Sequence, residues 1–440
     1  MNKAEEGYRG KALEFLKRYG VEVGDLISIC SIDGELEGTL IPRYAYADDE
    51  HIVIKLKNGY NLGVRIDKIK NIIRRAKGEK PRFTKAPLPK FDPNLPLISI
   101  ISTGGTIASR IDYRTGAVYP ALSAEDLYSV VPEIGNYANV DAEILMSLYS
   151  ENITPKDWGL MAKKIHEKIQ KGVKAVIITH GTDTLGYTAA ALSFALRGLP
   201  IPVILVGAQR SSDRPSSDAA TNLIGATILG TRGNLKGVFV VMHDGLSDDR
   251  LAVHIGTKVR KNHTSRRDAF ESVNIAPIAY IEKENIVQNY SVDEKEGLII
   301  RPDFEEKVAL IKFYPNMNPK IIDFFIDEGY RGIVLEGTGL GHVSSRCYES
   351  LKRAIKEGLL VCMTSQCIWG RVRMTVYDTG RDLLSLGILP LEDMLPETAY
   401  VKLSWVLANS NSIEEAKELM LKNLAHEYTL TSSLEKRSKY

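Results

Sequence analysis

Leu97-Ile-Ser-Ile-Ile-Ser-Thr-Gly-Gly-Thr-Ile-Ala-Ser-Arg110 is the stretch on which the reading of this chain turns. It opens as a run rich in β-branched residues, which fits a strand buried on both faces of a parallel sheet. The run breaks at Gly104 and Gly105, where a backbone without Cβ atoms can turn tightly and let a ligand approach. Thr106 then stands just past the carboxyl end of the strand, where open α/β sheets hold their ligands. An ordinary strand-to-helix turn has the same appearance, because Gly-Gly-Thr alone is common.

A second turn of the same design follows at Thr179-His180-Gly181-Thr182-Asp183-Thr184. Again an apolar strand stops and a hydroxyl is presented, now beside a carboxylate at the head of a helix opening near Thr184. Amides at a helix amino end stabilise an oxyanion. Asp and Thr are also good helix caps, so Asp183 alone carries either reading. Two such turns, each ending a parallel strand, point to one shared site.

A threonine hydroxyl is a poor nucleophile at its free pKa and needs a base or a proton relay. There is no GxSxG nucleophile elbow. His180 is a candidate base, although a His ending a buried strand commonly serves packing. Lys261, in KVRKNHTSRRDAF, is the preferred proton-transfer group, since a lysine near a carboxylate and shielded from water can exchange a proton. A solvated surface position is the usual fate of lysine and stays open for it. Gly337-Thr338-Gly339-Leu340-Gly341 follows a strand but lacks the GxGxxG spacing, and no GxxxxGK[ST] occurs, so no ATP site is expected in this chain.

Outward from Leu97, apolar strands alternate with helical patterns: KAVIITH, IPVILVG and GVFVVMH, then a polar connector at NIVQNYSVDEKEG. A second set follows, with VALIKFY, a helix around Lys320 to Glu328, GIVLEG, a helix from Ser344 to Glu357, LVCMTS, and a last helix from Ile413 to Leu424. Such alternation predicts an α/β body built on parallel sheets with crossover helices. Upstream the pattern differs. A short amphipathic helix from about Lys11 to Tyr19 precedes short strands, DLISIC, ELEGTLIPRYA, HIVIKL and YNLGVRI, with Asn58-Gly59 as a hairpin turn between the last two. This predicts a small β-barrel over residues 1–78. Lys68, Lys70, Arg74, Arg75 and Lys77 after it read either as an RNA or docking contact or as a solvated basic helix end. Pro81, Pro87, Pro89, Pro93 and Pro96 make residues 79–96 a semi-rigid spacer. The α/β body divides into 97–290 and 291–425, leaving a polar tail over 426–440.

The bulk numbers exclude several classes. In 440 residues, 57 basic side chains face 55 acidic ones, so there is no global nucleic-acid footprint. Four cysteines without a CxxC motif give neither a disulfide framework nor a metal site, and a reducing cytoplasm fits them. No stretch reaches the ~18 apolar residues of a membrane span, and the beginning of the chain lacks a signal-peptide pattern.

Taken together, these residues resemble the L-asparaginase/glutaminase family of threonine amidohydrolases. The first signature is Thr103-Gly104-Gly105-Thr106-Ile107-Ala108 and the second His180-Gly181-Thr182-Asp183-Thr184. The likeness runs from about Leu97 to Leu424, through Ser150-Glu151, the stretch Pro202 to Asn222, Lys261, and DLLSLGILPLEDMLPETAYVKL. It implies an asparaginase-like two-domain α/β parallel-sheet body preceded by the small N-terminal β-barrel. It also implies Thr106 as nucleophile, Tyr119 on the following loop as its activator, and Thr182, Asp183 and Lys261 as a second relay preparing water for deacylation. Ser150 and Asp183 would hold the substrate's α-carboxylate and α-amino group, with Gly105 and Gly181 in the same substrate site. Glu151 departs from the glutamine of many relatives and leaves side-chain-length preference open.

Residues 1–96 are additional to the ordinary enzyme of that family. An asparaginase-like body behind a barrel resembles the glutaminase (D-type) subunits of archaeal tRNA-dependent amidotransferases. That likeness implies a cytoplasmic amidohydrolase without metal or cofactor of its own. It would form a homodimer, and a heterotetramer with a partner, the E-type subunit of the amidotransferase. The partner would hold tRNA(Gln), bind ATP and magnesium, and use ammonia from glutamine or asparagine to convert Glu-tRNA(Gln) to Gln-tRNA(Gln). A free-standing cytoplasmic L-asparaginase and a non-catalytic tRNA-binding scaffold are the other readings.

Overall fold

The computed structural model describes residues 7–43, 47–57, 61–78, 91–105, 131–210, 217–292 and 297–431, and the backbone of 109–111 and 118–120. Thr106 and Asn58-Gly59 lie outside the described residues, as do Pro81, Pro87 and Pro89 of the spacer and residues 432–440 of the tail.

Helix α1 (Gly10–Tyr19) buries Ala12 and Leu16 and stops at Gly20, whose left-handed φ of 63° lets its N–H reach the Leu16 and Lys17 carbonyls. Strands β1 (Leu26–Ser31), β2 (Gly34–Leu40), β3 (His51–Leu56), β4 (Asn61–Arg65) and β5 (Ile69–Ala76) form one antiparallel sheet in the order β4-β3-β2-β1-β5. Its core is aliphatic: Ile27, Ile29, Leu40, Ile52, Ile54 and Ile72. The basic run differs from expectation. Lys70, Arg74 and Arg75 belong to the edge strand β5 rather than to a helix end, because β-branched Ile69, Ile72 and Ile73 favour extension there. Lys68 pairs with Asp33 at 3.0 Å, Arg74 donates to the Gly20 carbonyl at 2.8 Å, and Arg75 donates to Ser28 Oγ at 2.8 Å.

The central body begins with β6 (Leu97–Ser102); β7 (Ser109–Ile111) and β8 (Val118–Pro120) form a separate antiparallel pair. After β9 (Asn139–Ile144) come α2 (Pro155–Gln170), β10 (Val176–Thr179), α3 (Leu185–Ala195), β11 (Leu196–Arg197), β12 (Pro202–Val206), α4 (Ala219–Arg232) and β13 (Gly237–His243). The order β9-β6-β10-β12-β13 is parallel throughout; the buried apolar runs of β6, β10, β12 and β13 fit that arrangement, and β9, NVDAEI, is its half-buried edge. Three antiparallel strands then extend the sheet: β14 (Arg250–Ile255), β17 (Ala279–Glu282) and β18 (Asn285–Gln288). The sheet is therefore mixed, and Asn285–Gln288, expected as connector, is its edge strand. Between β14 and β17 a short hairpin, β15 (Val259–Lys261) and β16 (Phe270–Ser272), stands apart.

β19 (Ile299–Ile300) pairs with β11 and leads to the second sheet. There β20 (Val308–Lys312), β21 (Gly332–Gly337), β22 (Leu360–Ser365) and β23 (Leu389–Pro390) are parallel, with α5 (Lys320–Asp327), α6 (Tyr348–Lys356) and α7 (Asp378–Leu386) in the crossovers. The helix expected from Ser344 to Glu357 is broken into one 3-10 turn, Ser345–Cys347, and α6. Two further helices, α8 (Pro396–Asn409) and α9 (Ile413–Leu421), complete the fold. α3, LGYTAAALSFA, is apolar on nearly every side, the pattern of a helix buried all round. Leu185, Ala189, Leu192 and Ala195 face the central sheet, while Ala190, Ala191 and Phe194 pack on α8, Phe194 stacking on Trp405 at 6.1 Å. α3 thus joins the two α/β units and carries the second glycine-marked turn at its head. No helix among the described residues is long and apolar enough to cross a membrane.

Candidate active site

Parallel neighbours β6 and β10 stay paired to their last residues, with Ser102 beside Thr179. Both the Thr103 N–H and the Thr103 hydroxyl donate to the Thr179 carbonyl, at 3.1 and 2.9 Å. The two glycine-marked turns therefore leave the sheet side by side. Gly105, with φ of +85°, lies so close that a Cβ there would stand 2.6 Å from the Gly181 nitrogen. A Cβ on Gly181 would in turn stand 2.8 Å from Ser150 Cβ and 3.0 Å from Ser150 Oγ. Close backbone approach explains both glycines. It also stacks the three segments 103–105, 180–182 and 149–151 at one end of the sheet.

Ser150 is buried, and its carbonyl accepts a hydrogen bond from Thr184 Oγ1 at 2.7 Å. Thr184 is the residue before α3, and Asp183 does not cap that helix; its carboxylate turns to Lys261 instead. Lys261 Nζ lies 2.7 Å from Asp183 Oδ1 and 2.9 Å from Thr182 Oγ1. The lysine is largely covered, its side chain 13% exposed against 69% for Asp183. Hence Lys261 is not a solvated surface lysine. It is aimed at a hydroxyl and a carboxylate at the mouth of the site. Gly207, at the end of β12, supplies the wall: a Cβ there would meet the Thr182 methyl at 2.8 Å.

His180 is a packing residue. Its Nδ1–H donates to the Gly181 carbonyl at 2.7 Å, and its Nε2 accepts from the Thr188 hydroxyl at 2.9 Å, which itself accepts from Trp158 Nε1 at 3.2 Å. That chain fixes one neutral tautomer. Burial holds the imidazole pKa down at about 4. A group so desolvated, with both nitrogens turned inward, is not a base for the hydroxyls outside.

The site residues implied by the sequence fall into three sets. Gly105, Ser150, Gly181, Thr182, Asp183 and Lys261 are brought together. Glu151 is exposed beside Ser150. Thr106 lies outside the described residues, and Tyr119 is described only as backbone of β8, opposite Arg110. Gly207 joins the site without having been singled out by pattern, although the glycine directly after PVILV is a visible signal for it, while Thr188 supports the packed His180 from behind. Within Pro202 to Asn222, the Asp218 carboxylate accepts the Gln209 and Arg210 N–H groups at 3.0 and 2.9 Å. The Thr338–Gly341 turn closes on itself, the Thr338 N–H donating to the His342 carbonyl at 2.8 Å. Among the described residues no group of three or more His, Cys, Asp or Glu side chains is arranged to hold a metal.

Residues 97–293 match the family model for the N-terminal domain of asparaginase, and 307–420 the one for the glutaminase/asparaginase C-terminal domain. Residues 21–73 match the GatD N-terminal domain. The chain is 53% identical over 427 residues to the D-type subunit of glutamyl-tRNA(Gln) amidotransferase from Pyrococcus furiosus, covering 94% of this chain and 97% of that one. It is 50% identical to the corresponding protein of Methanopyrus kandleri, over 96% and 94% of the two chains. Among solved structures, the thermostable L-asparaginase from Thermococcus kodakarensis superposes with a TM-score of 0.69 at 32% identity, over 76% of this chain and all of that one.

Proposed function

The chain belongs to the GatD family, the D-type subunits of glutamyl-tRNA(Gln) amidotransferases, and we propose that it is the glutaminase-type component of such an enzyme. It hydrolyses the side-chain amide of glutamine or asparagine and passes ammonia to a partner that converts Glu-tRNA(Gln) to Gln-tRNA(Gln). The observation that carries the chemistry is Lys261 Nζ set against both Thr182 Oγ1 and Asp183 Oδ1, at 2.9 and 2.7 Å. Such a triad has no use in a passive scaffold. The observation that favours the amidotransferase over a free-standing asparaginase is the front domain: the Thermococcus asparaginase is matched over its whole length by only part of this chain.

In this reading Thr106 Oγ attacks the amide carbon while its proton passes, with help from Tyr119, toward the departing nitrogen, so that ammonia leaves and a threonyl ester remains. Water then attacks the ester. The water's proton passes to Thr182 Oγ1 as Thr182 gives its own to the amine of Lys261, held in place by Asp183, and a proton returns by the same route to Thr106 Oγ1 as the ester C–O bond breaks. Ser150 and Asp183 hold the α-carboxylate and α-amino groups, with Glu151 adding negative charge beside the ammonium. Gly105 and Gly181 let the three segments approach closely enough to line one substrate site. The chain supplies no cofactor; ATP and magnesium act on the E-type partner, which holds tRNA(Gln). Homodimers of this chain joined to that partner form a cytoplasmic heterotetramer.

The test is ammonia release from glutamine by the full chain, with and without its co-purified partner and Glu-tRNA(Gln). A rise on adding both supports the reading. Asparagine hydrolysis at a rate indifferent to both returns it to a free-standing asparaginase.

A further inference from the structure

Lys261 sits on a strand whose other face belongs to a different domain. Side chains alternate along an extended strand, so Val259 and Lys261 point one way, Val259 into the core under α3 and Lys261 to the site. Lys258 and Arg260 point the opposite way, into the C-terminal unit. Lys258, fully buried, places Nζ 2.9 Å from Asp393 Oδ2 and 3.1 Å from the Asp393 carbonyl. Arg260 Nε lies 3.2 Å from Glu397 Oε1. Thr398 Oγ1 donates to the Thr257 carbonyl at 2.8 Å, and Thr257 Oγ1 to the Ala425 carbonyl at 2.8 Å.

All but the last of these partners fall in residues 393–398, the approach to and first turn of α8. Asp393 and Glu397 are four residues apart, and the two cations they meet are two residues apart on the strand. On its inner side the hairpin is held by Val259 and Phe270 in the central core and by Ser272 Oγ, 2.8 Å from His254 Nδ1. Each of its strands is three residues long, and an isolated two-stranded hairpin is marginal in water. Its tip is tied down separately: Arg267 donates to the Leu246 carbonyl at 2.9 Å and pairs with Asp248 beside buried His243.

We propose that Arg260 and Glu397 are positioning residues for amide hydrolysis: through this ion pair, with the buried Lys258–Asp393 pair behind it, the C-terminal domain fixes the strand that aims Lys261 at Thr182 and Asp183. The proposal rests on the reading of Lys261 as a proton-transfer group. A lysine has a long flexible stem, and Asp183 is open to water, so contact with Thr182 depends on where the backbone starts the side chain. Glu397 also depends on Arg260. Its Oε2 is buried without a hydrogen-bond partner among the described residues, so losing the guanidinium leaves a carboxylate that must move toward water or another cation.

The experiment uses the full chain, alone or with its partner, in whichever form releases ammonia from L-glutamine or L-asparagine. Arg260→Gln and Glu397→Gln should each lower kcat by about tenfold to a hundredfold, the scale of a displaced catalytic group, with a smaller change in KM. Arg260→Lys and the exchanged pair Arg260→Glu/Glu397→Arg should recover most of the loss. Added to Lys261→Met, Arg260→Gln should lower the residual kcat no further. Should Arg260→Gln fail to fold, Glu397→Gln and Arg260→Lys decide. Single variants with wild-type kcat beside an inactive Lys261→Met overturn the positioning role alone. A KM rise without a kcat fall, or an undiminished loss in the Lys261→Met background, does the same. Wild-type activity in Lys261→Met, or no ammonia from any form, overturns the site reading as well.

Discussion

Lys261 Nζ is 2.9 Å from Thr182 Oγ1, a contact between residues 79 positions apart that only the β15–β16 hairpin creates. It ties the second glycine-marked turn to a segment that no sheet of the body includes. The same ammonium meets Asp183, so a hydroxyl, a carboxylate and a cation share one corner. Lys261→Met keeps the length of the stem and removes the charge. Ammonia release should fall by roughly 10²–10⁴-fold in kcat, the range of a lost acid–base group. The thermal midpoint should barely move, because an ion pair to so exposed a carboxylate contributes at most about 1 kcal/mol. A variant with more than half the parental kcat sinks the relay.

Gly105 and Thr106 are adjacent but should fail differently. Thr106→Ala deletes one hydroxyl, so ammonia release should disappear while the thermal midpoint stays. Gly105→Ala demands a Cβ in a left-handed conformation, 2.6 Å from a backbone nitrogen. Something must shift there, and the cost is on the order of 1–3 kcal/mol from the conformation alone. Both the midpoint and activity should drop. Equal melting of Gly105→Ala and the parent would show that the two turns are not packed as described.

His180 makes stability depend on acid. Burial lowers its pKa in the folded chain from 6.5 to about 4, so between these values the unfolded chain binds more protons. Stability from this group is complete above pH 6.5 and is lost as the pH falls toward 4. The shift corresponds to about 3 kcal/mol across that window. Urea midpoints of the parent should decline from pH 7 to pH 4.5. In His180→Asn the same series should be flatter by that amount; parallel curves would mean that the imidazole is not held neutral.

What is legible in the sequence follows from how local each cause is. β6 and β10 announce themselves because strands buried on both faces need uninterrupted β-branched runs, and glycines mark where two backbones touch. The pairing of Gly105 with Gly181 follows once those strands are neighbours. The Lys261 hairpin is not legible: three-residue strands carry no period, and Val259-Arg260-Lys261 alternates between a core, a foreign domain and a site. The antiparallel extension β14-β17-β18 is hidden for a related reason, since the polar edge strand Asn285–Gln288 looks like a loop until its neighbour is known. Asp183 looks like a cap because caps are local, whereas its partner is distant in the chain. The basic residues of β5 read as a helix end because charge, not the spacing of Ile69 and Ile72, dominates that stretch.

Glu427 shows the same limit at the end of the chain, and yields the last expectation. It lies in the stretch read as a polar tail, yet it is fully buried, 2.5 Å from Lys402 Nζ of α8, itself fully buried. Lys402 also donates to the Met420 and Lys422 carbonyls at 2.9 and 2.6 Å, and Glu427 accepts the Leu424 and Ala425 N–H groups. A buried pair of this kind is not a source of large net stability, because desolvation offsets most of the attraction. Removing one member is another matter. Lys402→Met leaves a carboxylate without its cation and two carbonyls without a donor, and should cost about 3–5 kcal/mol in urea unfolding. Glu427→Gln keeps an acceptor for the two amides, so the double variant Lys402→Met/Glu427→Gln should regain part of that loss but not all of it, the two carbonyls staying orphaned. Strict additivity of the two single changes would mean that the residues do not act as a pair. The tail would then be held by Thr429, which donates both N–H and Oγ1 to Asp393, at 2.7 Å each.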